Sequence, residues 1–222
     1  MSSGSAQAGP VEGLRRDGVT LASYTGLAGW CWFLYGFGSM LPLLVDEQGI
    51  STTLGGLHLT AEAGGGLLAG LSATTMVRRF TRRGTLLRAA GLVVLGTGLL
   101  MVGAPTVLTL VAVLVMGTGG ALTINTVNPL LAQHHGAAGP AALSEANAVA
   151  AGVGLIAPLA VGACVGAGFG WRPALLVVVV LMALTAWLFR RVRRPSAALD
   201  AGLPARGSGP GRLPSAFWPL QT

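Results

Sequence analysis

Residues 71–95 read LSATTMVRRFTRRGTLLRAAGLVVL, with five arginines between two long apolar stretches. Two arginines precede the first apolar stretch, Arg15 and Arg16, and six more lie between positions 190 and 212. Only Arg172 lies apart from these clusters, and there is no lysine. About 20 apolar residues can cross a bilayer as a helix. The spacing leaves room for two crossings between the first two clusters and four between the last two. Every cluster can then lie on the same side of the bilayer. This agrees with the rule that the cytoplasmic loops of membrane proteins carry an excess of arginine and lysine.

The composition also indicates a membrane protein. Only 9% of the 222 residues are charged and 52% are hydrophobic, whereas soluble domains average about 25% charged residues. The formal charge of +7 would fit a nucleic-acid partner only if the arginines formed a stripe with interleaved aromatic residues. They flank apolar segments instead, so we expect a lipid bilayer as the partner and no nucleic acid.

The apolar runs predict an all-α polytopic bundle of six transmembrane helices with both termini in the cytoplasm. The runs cover about 21–45, 53–77, 86–103, 106–133, 143–167 and 173–189. The segments 78–83 and 134–142 are predicted to be loops, and Ala104-Pro105 a tight turn. Residues 1–20 are expected to form a flexible cytoplasmic N-terminus and 21–192 the bundle. Residues 193–222 are expected to form a cytoplasmic linker and the start of a seventh span.

The basic segment carries part of a family signature, Gly-x-Leu-Ala-Asp-Arg-x-Gly-Arg-Arg. Its three arginines are matched by Arg79, Arg82 and Arg83. Its two glycines and its aspartate are replaced, by Thr74, Thr81 and Arg78. With this signature after its second run, the chain resembles the N-terminal six-helix half of a major facilitator superfamily transporter. The resemblance implies that the three matched arginines belong to a gating loop.

Two weaker motifs follow in the order that this family has them. Gly117 and Gly119 match an Arg-x-x-x-Gly-x-Gly pattern in which Val113 replaces the arginine. Pro158 and Gly162 match the Gly-x-x-x-Gly-Pro-x-x-Gly-Gly motif of drug/proton antiporters, where they would bend and pack a helix. The resemblance implies a secondary active transporter of a small molecule in a bacterial-type cell (inner) membrane.

Transporters of this family contain two such halves around a shared site. Residues 211–218 resemble the beginning of a seventh span, and the sequence ends at Thr222. We therefore expect a truncated half, which would need a second six-helix half or a homodimer for transport. The alternative is a six-span interaction module without transport activity, or an inert fragment.

Polar residues inside the apolar runs are the candidates for a substrate or ion pathway. An ionisable residue at membrane depth is costly and marks such a pathway by default. His58 and Glu62 are four residues apart, on one helix face, and could carry a proton or hold a polar substrate. The alternative is that Glu62 is protonated or bonded to His58 and only makes a polar contact between helices. The resemblance places four further residues on cavity-lining helices: Tyr35, Asn125, Asn128 and Asn147. The three asparagines could instead bond a neighbouring helix, and Tyr35 could instead contact lipid or pack against other helices.

Other kinds of site have no support in the sequence. There is no nucleophile with a base, no spaced carboxylate pair and no phosphate loop, so we expect neither an enzyme nor a cofactor. The adjacent His134 and His135 lack a third ligand, so no metal site is expected. Glycine pairs four residues apart are expected to let helices pack closely, namely Gly66 with Gly70, Gly162 with Gly166 and Gly166 with Gly170.

Overall fold

The computed structural model describes residues 14–102, 105–192 and 199, and within these ranges it is helical without any strand. The helices are α1 (Gly18–Gln48), α2 (Thr52–Val102), α3 (Thr106–His135), α4 (Gly139–Gly166) and α5 (Leu176–Arg191), with 3-10 turns at Gly136–Ala138 and Arg172–Leu175. Four helical stretches are long and apolar enough to cross a membrane: Gly18–Gln48, Thr52–Val102, Thr106–Gly166 and Arg172–Arg191. The predicted helical membrane bundle is confirmed for the described residues. The expectations for 1–13 and for nearly all of 193–222 lie outside them.

Helix α2 folds back on itself at Thr81, where φ is 60° and ψ is 168°. Gly117 of α3 lies against the backbone of Glu62, and Gly119 lies against the backbone of Ala89. In a straight helix those two contact points on α2 would be about 40 Å apart, at 1.5 Å per residue. The two arms of α2, before and after Thr81, therefore lie side by side on α3.

Both predicted loops are shorter than the sequence suggested. The segment 78–83 is helical on either side of Thr81, because a single residue with positive φ can redirect the chain. The segment 134–142 is likewise nearly all helical: α3 runs to His135, and α4 begins at Gly139 after the short turn. Gly136, with φ 53°, starts that turn. Pro140 lies in the first turn of α4, where a missing N–H costs nothing.

Helix α1 lies at the centre of the bundle, with contacts to α4, α5 and α3. Its aromatic residues fill the core: Phe33 and Phe37 are almost fully buried, and their ring centroids are 4.9 Å apart. Trp32 donates a hydrogen bond from Nε1 to the carbonyl of Ala174 at 2.9 Å. Val113, where the family pattern has an arginine, is fully buried in this same cluster, so the position holds packing contacts in place of a charge.

The glycines that bring helices together are not the ones that the spacing rule selected. A Cβ at any of the following would overlap the backbone or a ring of a neighbouring helix: Gly65, Gly96, Gly117, Gly119, Gly120 and Gly154. By contrast, Gly66, Gly70, Gly162 and Gly166 have no neighbouring atom within 4 Å of such a Cβ. Gly162 therefore has no close neighbour among the described residues, and its packing role stays a prediction. The spacing rule finds small residues but does not say which face of the helix is covered.

Candidate functional site

One end of the bundle, which we call the arginine-rich end, is tied together by charged groups. Arg16, just before α1, forms a two-fold ion pair with Glu145 of α4, with distances of 2.6 Å (Nε–Oε1) and 2.9 Å (Nη2–Oε2). Asp17 caps α1 by accepting a hydrogen bond from the Thr20 N–H at 3.0 Å. Its other carboxylate oxygen lies 2.7 Å from Nε2 of His134 at the end of α3. The start of α1 is thus held to both α3 and α4.

The second arm of α2 is held to α5 at the same end. Arg83 donates hydrogen bonds to the carbonyls of Arg190, at 2.7 Å, and Val192, at 3.3 Å. The last carbonyls of a helix have no partner within the helix and carry partial negative charge. The Arg83 guanidinium supplies both a donor and a positive charge there, so this predicted gating-loop residue caps α5.

The opposite end is tied by one ion-pair network. Arg172 forms a two-fold ion pair with Glu47 at 2.7 Å (Nη2–Oε1) and 2.9 Å (Nη1–Oε2). Its Nε donates to the carbonyl of Met101 at 3.1 Å, and Trp171 donates to Glu47 at 3.1 Å. The hydrogen bonds from Arg172 lower the pKa of the Glu47 carboxyl below its usual value. This network joins the end of α1, the end of α2 and the turn before α5.

The positive charges are therefore sorted between the two ends. Among the described residues, nine arginines belong to the arginine-rich end: Arg15, Arg16, Arg78, Arg79, Arg82, Arg83, Arg88, Arg190 and Arg191. Only Arg172 belongs to the other end, where Asp46 and Glu47 are the acidic residues. The described members of the three clusters, which are far apart in sequence, thus come together in space.

Glu62 lies on the first arm of α2, away from both charged ends. It is half-buried, and its backbone touches Gly117 of α3. Within the described part of the chain its carboxyl has no hydrogen-bond or ion-pair partner. A carboxyl without a partner between two helices is available to a proton or to a ligand.

His58 is fully buried, but it does not bond Glu62. Its Nε2 lies 2.9 Å from Oγ1 of Thr109, and its Nδ1 lies 3.2 Å from the carbonyl oxygen of Gly55. Gln48, at the end of α1, donates to the same Thr109 hydroxyl at 3.2 Å. Because these groups come from α1, α2 and α3, the His58 imidazole is part of a polar contact that holds three helices together. Sequence reasoning missed Thr109 and Gln48, since single hydroxyl and amide residues near helix ends carry no pattern.

A cavity of about 120 Å³ opens between the first arm of α2 and the end of α3. Asn125, Gln133 and Arg82 supply polar groups to its lining. Arg82 is only 2% exposed and donates from Nη1 to Oε1 of Gln133 at 2.7 Å. Burial lowers the pKa of this guanidinium. The cavity joins a residue predicted for the gating loop, Arg82, to one predicted for the substrate pathway, Asn125.

The remaining predicted residues are not gathered at that cavity. Asn147 is exposed and donates to the carbonyl of Leu143 in its own helix at 2.8 Å. Tyr35 is 39% exposed, and its ring lies against Gly154 of α4. Asn128 has a buried side-chain oxygen without a hydrogen-bond partner among the described residues. Pro158 lies inside α4.

The sequence model of the Major Facilitator Superfamily matches residues 3–154, which is more than half of the chain. The chain belongs to the Major Facilitator Superfamily. Members of this superfamily are transporters and not enzymes, and the chain is a multi-pass membrane protein of that type. No curated protein and no solved structure matches it.

The backbone at Thr81 explains why the superfamily signature has a glycine at this position. The second glycine of the signature falls at Thr81, the residue at which α2 turns back with φ 60°. Glycine adopts such a conformation without steric cost, whereas a β-branched residue does so only under strain. The signature glycine is therefore explained by the backbone of this turn, and threonine is an unfavourable replacement.

Proposed function

We propose that the chain forms one six-crossing half of a secondary active transporter for a small molecule, with the arginine-rich end in the cytoplasm. Superfamily membership supports the transport function, and the nine arginines at one end support the orientation, because basic residues are retained on the cytoplasmic side. A cell membrane of the bacterial type is the proposed location.

The helix geometry supports six crossings. The 51 residues of α2 would measure about 77 Å as a straight helix, more than twice the hydrocarbon core of about 30 Å. Folding back at Thr81 divides α2 into two arms of membrane-spanning length. The turn at Gly136–Ala138 divides Thr106–Gly166 in the same way, because Gly120 and Gly154, on either side of it, lie against Trp30 and Cys31 of α1.

The outward polar residues support a second bundle as a partner. Tyr35 on α1, Asn125 on α3 and Asn147 on α4 are exposed, and Glu62 on α2 is half-exposed. Polar groups that face lipid are costly, so we place them against a water-filled cavity covered by another bundle. The second bundle is another six-helix half or a second copy of this chain.

Glu62 is the proposed coupling residue, and its carboxyl without a partner is the observation that carries the proposal. A charge at the bilayer centre costs about 2.5–3.5 kcal/mol on insertion scales. A carboxyl that can take up a proton avoids this cost when it is protonated and neutral. When it is ionised, it binds a cation or a polar substrate. Tyr35, Asn125, Asn128 and Asn147 are the proposed substrate contacts, and Arg79, Arg82 and Arg83 the gating segment. His58 is proposed to position the arm that carries Glu62.

The test is proton flux in liposomes that contain the purified chain and an internal pH-sensitive dye. A panel of small molecules is added in turn, and a substrate is a compound that starts proton flux. We expect Glu62→Gln to abolish this flux while the variant stays folded. Glu145→Gln, which removes the carboxylate that pairs with Arg16 at the arginine-rich end, is the matched control and should retain flux. Undiminished flux in Glu62→Gln would contradict the coupling role. No flux with any compound would contradict a transporter completed by a second copy of this chain and would leave another six-helix half as the required partner.

A further inference from the structure

Phe80 gathers two arginines at the turn of α2. The guanidinium carbon of Arg88 lies 3.6 Å from the centre of the Phe80 ring, and that of Arg79 lies 5.5 Å from it. Arg88 also donates to the carbonyl of Gly84 at 3.0 Å. Each such contact is attractive, because the face of an aromatic ring carries partial negative charge. We call Arg79, Phe80 and Arg88, together with the adjacent Arg78, the Phe80 cluster.

The positive charge of the Phe80 cluster is not neutralised by the described residues. Arg78, Arg79 and Arg88 are exposed, and none of them bonds a carboxylate in the ranges 14–102 and 105–192. Arg16 and Arg172, by contrast, each have a two-fold pair with a glutamate. Like charges held close together repel one another, so the cluster is suited to an anionic partner.

The position of the cluster identifies the kind of anion. Leu67 and Leu71, on the same arm of α2, are 71% and 83% exposed, as expected of side chains that face lipid tails. Phe80 lies nine residues beyond Leu71, about 13 Å along the helix. The cluster is therefore at the depth where an apolar helix surface gives way to lipid headgroups.

We propose that the Phe80 cluster is a binding site for the phosphate of an anionic phospholipid. Guanidinium groups bind phosphate oxygens through paired, charge-assisted hydrogen bonds. Arg79 belongs to the first arm of α2 and Arg88 to the second. A headgroup held by both connects the two arms across Thr81 and stabilises the turn.

The test compares thermal unfolding of the full chain in nanodiscs of phosphatidylcholine with unfolding in nanodiscs of equal parts phosphatidylcholine and phosphatidylglycerol. We expect the anionic lipid to raise the unfolding temperature. The variant with both Arg79→Gln and Arg88→Gln should lose most of that rise. Phe80→Leu, which keeps every charge, should lose part of it. Arg15→Gln is the matched control, because it removes an exposed arginine from the same end and should keep the full rise.

Two further measurements distinguish a lipid site from a free-phosphate site and from diffuse charge attraction. Inorganic phosphate added to phosphatidylcholine nanodiscs should give no rise, whereas a rise equal to that of the anionic lipid would overturn the lipid site in favour of free phosphate. Equal losses in Arg15→Gln and in the double variant would show diffuse charge attraction and overturn the site. If the double variant does not fold, native mass spectrometry of the wild-type chain decides. Retention of phosphatidylglycerol over phosphatidylcholine after delipidation supports the site, and equal loss of the two lipids refutes it.

Discussion

Replacing Thr81 with glycine tests the strain that the structure places at the turn of α2. With φ 60° and ψ 168°, Thr81 occupies a region that is essentially restricted to glycine, and a residue of another type there costs about 1–3 kcal/mol. Two losses of stability oppose the gain from relieving this backbone strain. Glycine makes the unfolded chain more flexible, which costs about 0.5–1 kcal/mol. The Thr81 hydroxyl also accepts a hydrogen bond from the Gly84 N–H at 3.3 Å, and replacing such a cap with glycine costs a few tenths of a kcal/mol.

The balance predicts that Thr81→Gly is about 1 kcal/mol more stable than the wild type, within a range from about zero to 2 kcal/mol. For a chain of this size, 1 kcal/mol corresponds to an increase in unfolding temperature of about 2–4 °C. The measurement is thermal unfolding in detergent micelles, followed by circular dichroism. Thr81→Ala provides a comparison, since it removes the cap but keeps the Cβ atom, and it should lower the stability.

Thr75→Gly is the matched control for this prediction. Thr75 is an exposed residue of the first arm of α2 with ordinary helical geometry, so the same substitution should lower the stability by a fraction of a kcal/mol. Opposite signs for the two threonine-to-glycine changes would isolate the strain at position 81. If Thr81→Gly lowers the unfolding temperature as Thr75→Gly does, the strain is absent and the backbone of the turn does not account for the signature glycine.

Two further predictions concern packing and pH. Gly117→Ala should destabilise the protein by about 1–3 kcal/mol, because its Cβ overlaps the backbone of Glu62, while Gly162→Ala, at an open helix position, should be neutral or stabilising in thermal unfolding. Burial lowers the pKa of His135, and the nearby His134 lowers it further. The folded state therefore favours neutral His135. The stability that this preference adds to the folded state is fully present above the ordinary pKa near 6.5 and is lost as the pH falls below it. The unfolding temperature should decrease on acidification through that range, and the decrease should be smaller in His135→Gln; an identical decrease would contradict this role.

The sequence was sufficient for the class of fold because the signals for it are additive. Long apolar runs and arginine clusters accumulate over many residues, so errors of a few positions do not change the prediction of a helical membrane bundle. Family membership was likewise predictable, because Arg79, Arg82, Arg83, Gly117 and Gly119 lie in a fixed order. The predicted loops at 78–83 and 134–142 were too long because a turn of one to three residues leaves almost no mark on hydrophobicity.

The contacts of individual side chains were less predictable, because they depend on how helices rotate about their axes. Gly65 and Gly66 are adjacent, yet one lies against α3 and the other lies in open space. In the same way, helix spacing put His58 and Glu62 on one face, but the nearest good partner of the imidazole was Thr109 of another helix. A pairing within one helix can be derived from spacing, whereas a pairing between helices requires the packing itself.

The arrangement of charges indicates which parts of the arginine-rich end are held firmly. The start of α1 is joined to α3 and α4 by contacts that include carboxylates, from Asp17 and Glu145. The turn of α2 is joined to α5 by Arg83 through neutral carbonyl groups, and Arg78 replaces the aspartate that the signature has there. Because hydrogen bonds to neutral carbonyls are weaker than those to carboxylates, the α2–α5 contact is expected to open first. A strained Thr81 and the uncompensated Phe80 cluster lie at the turn of α2 that carries Arg83, so relief of strain by glycine and binding of an anionic headgroup should both stabilise this turn. If the two effects act on one turn, anionic lipid should raise the unfolding temperature less in Thr81→Gly than in the wild type.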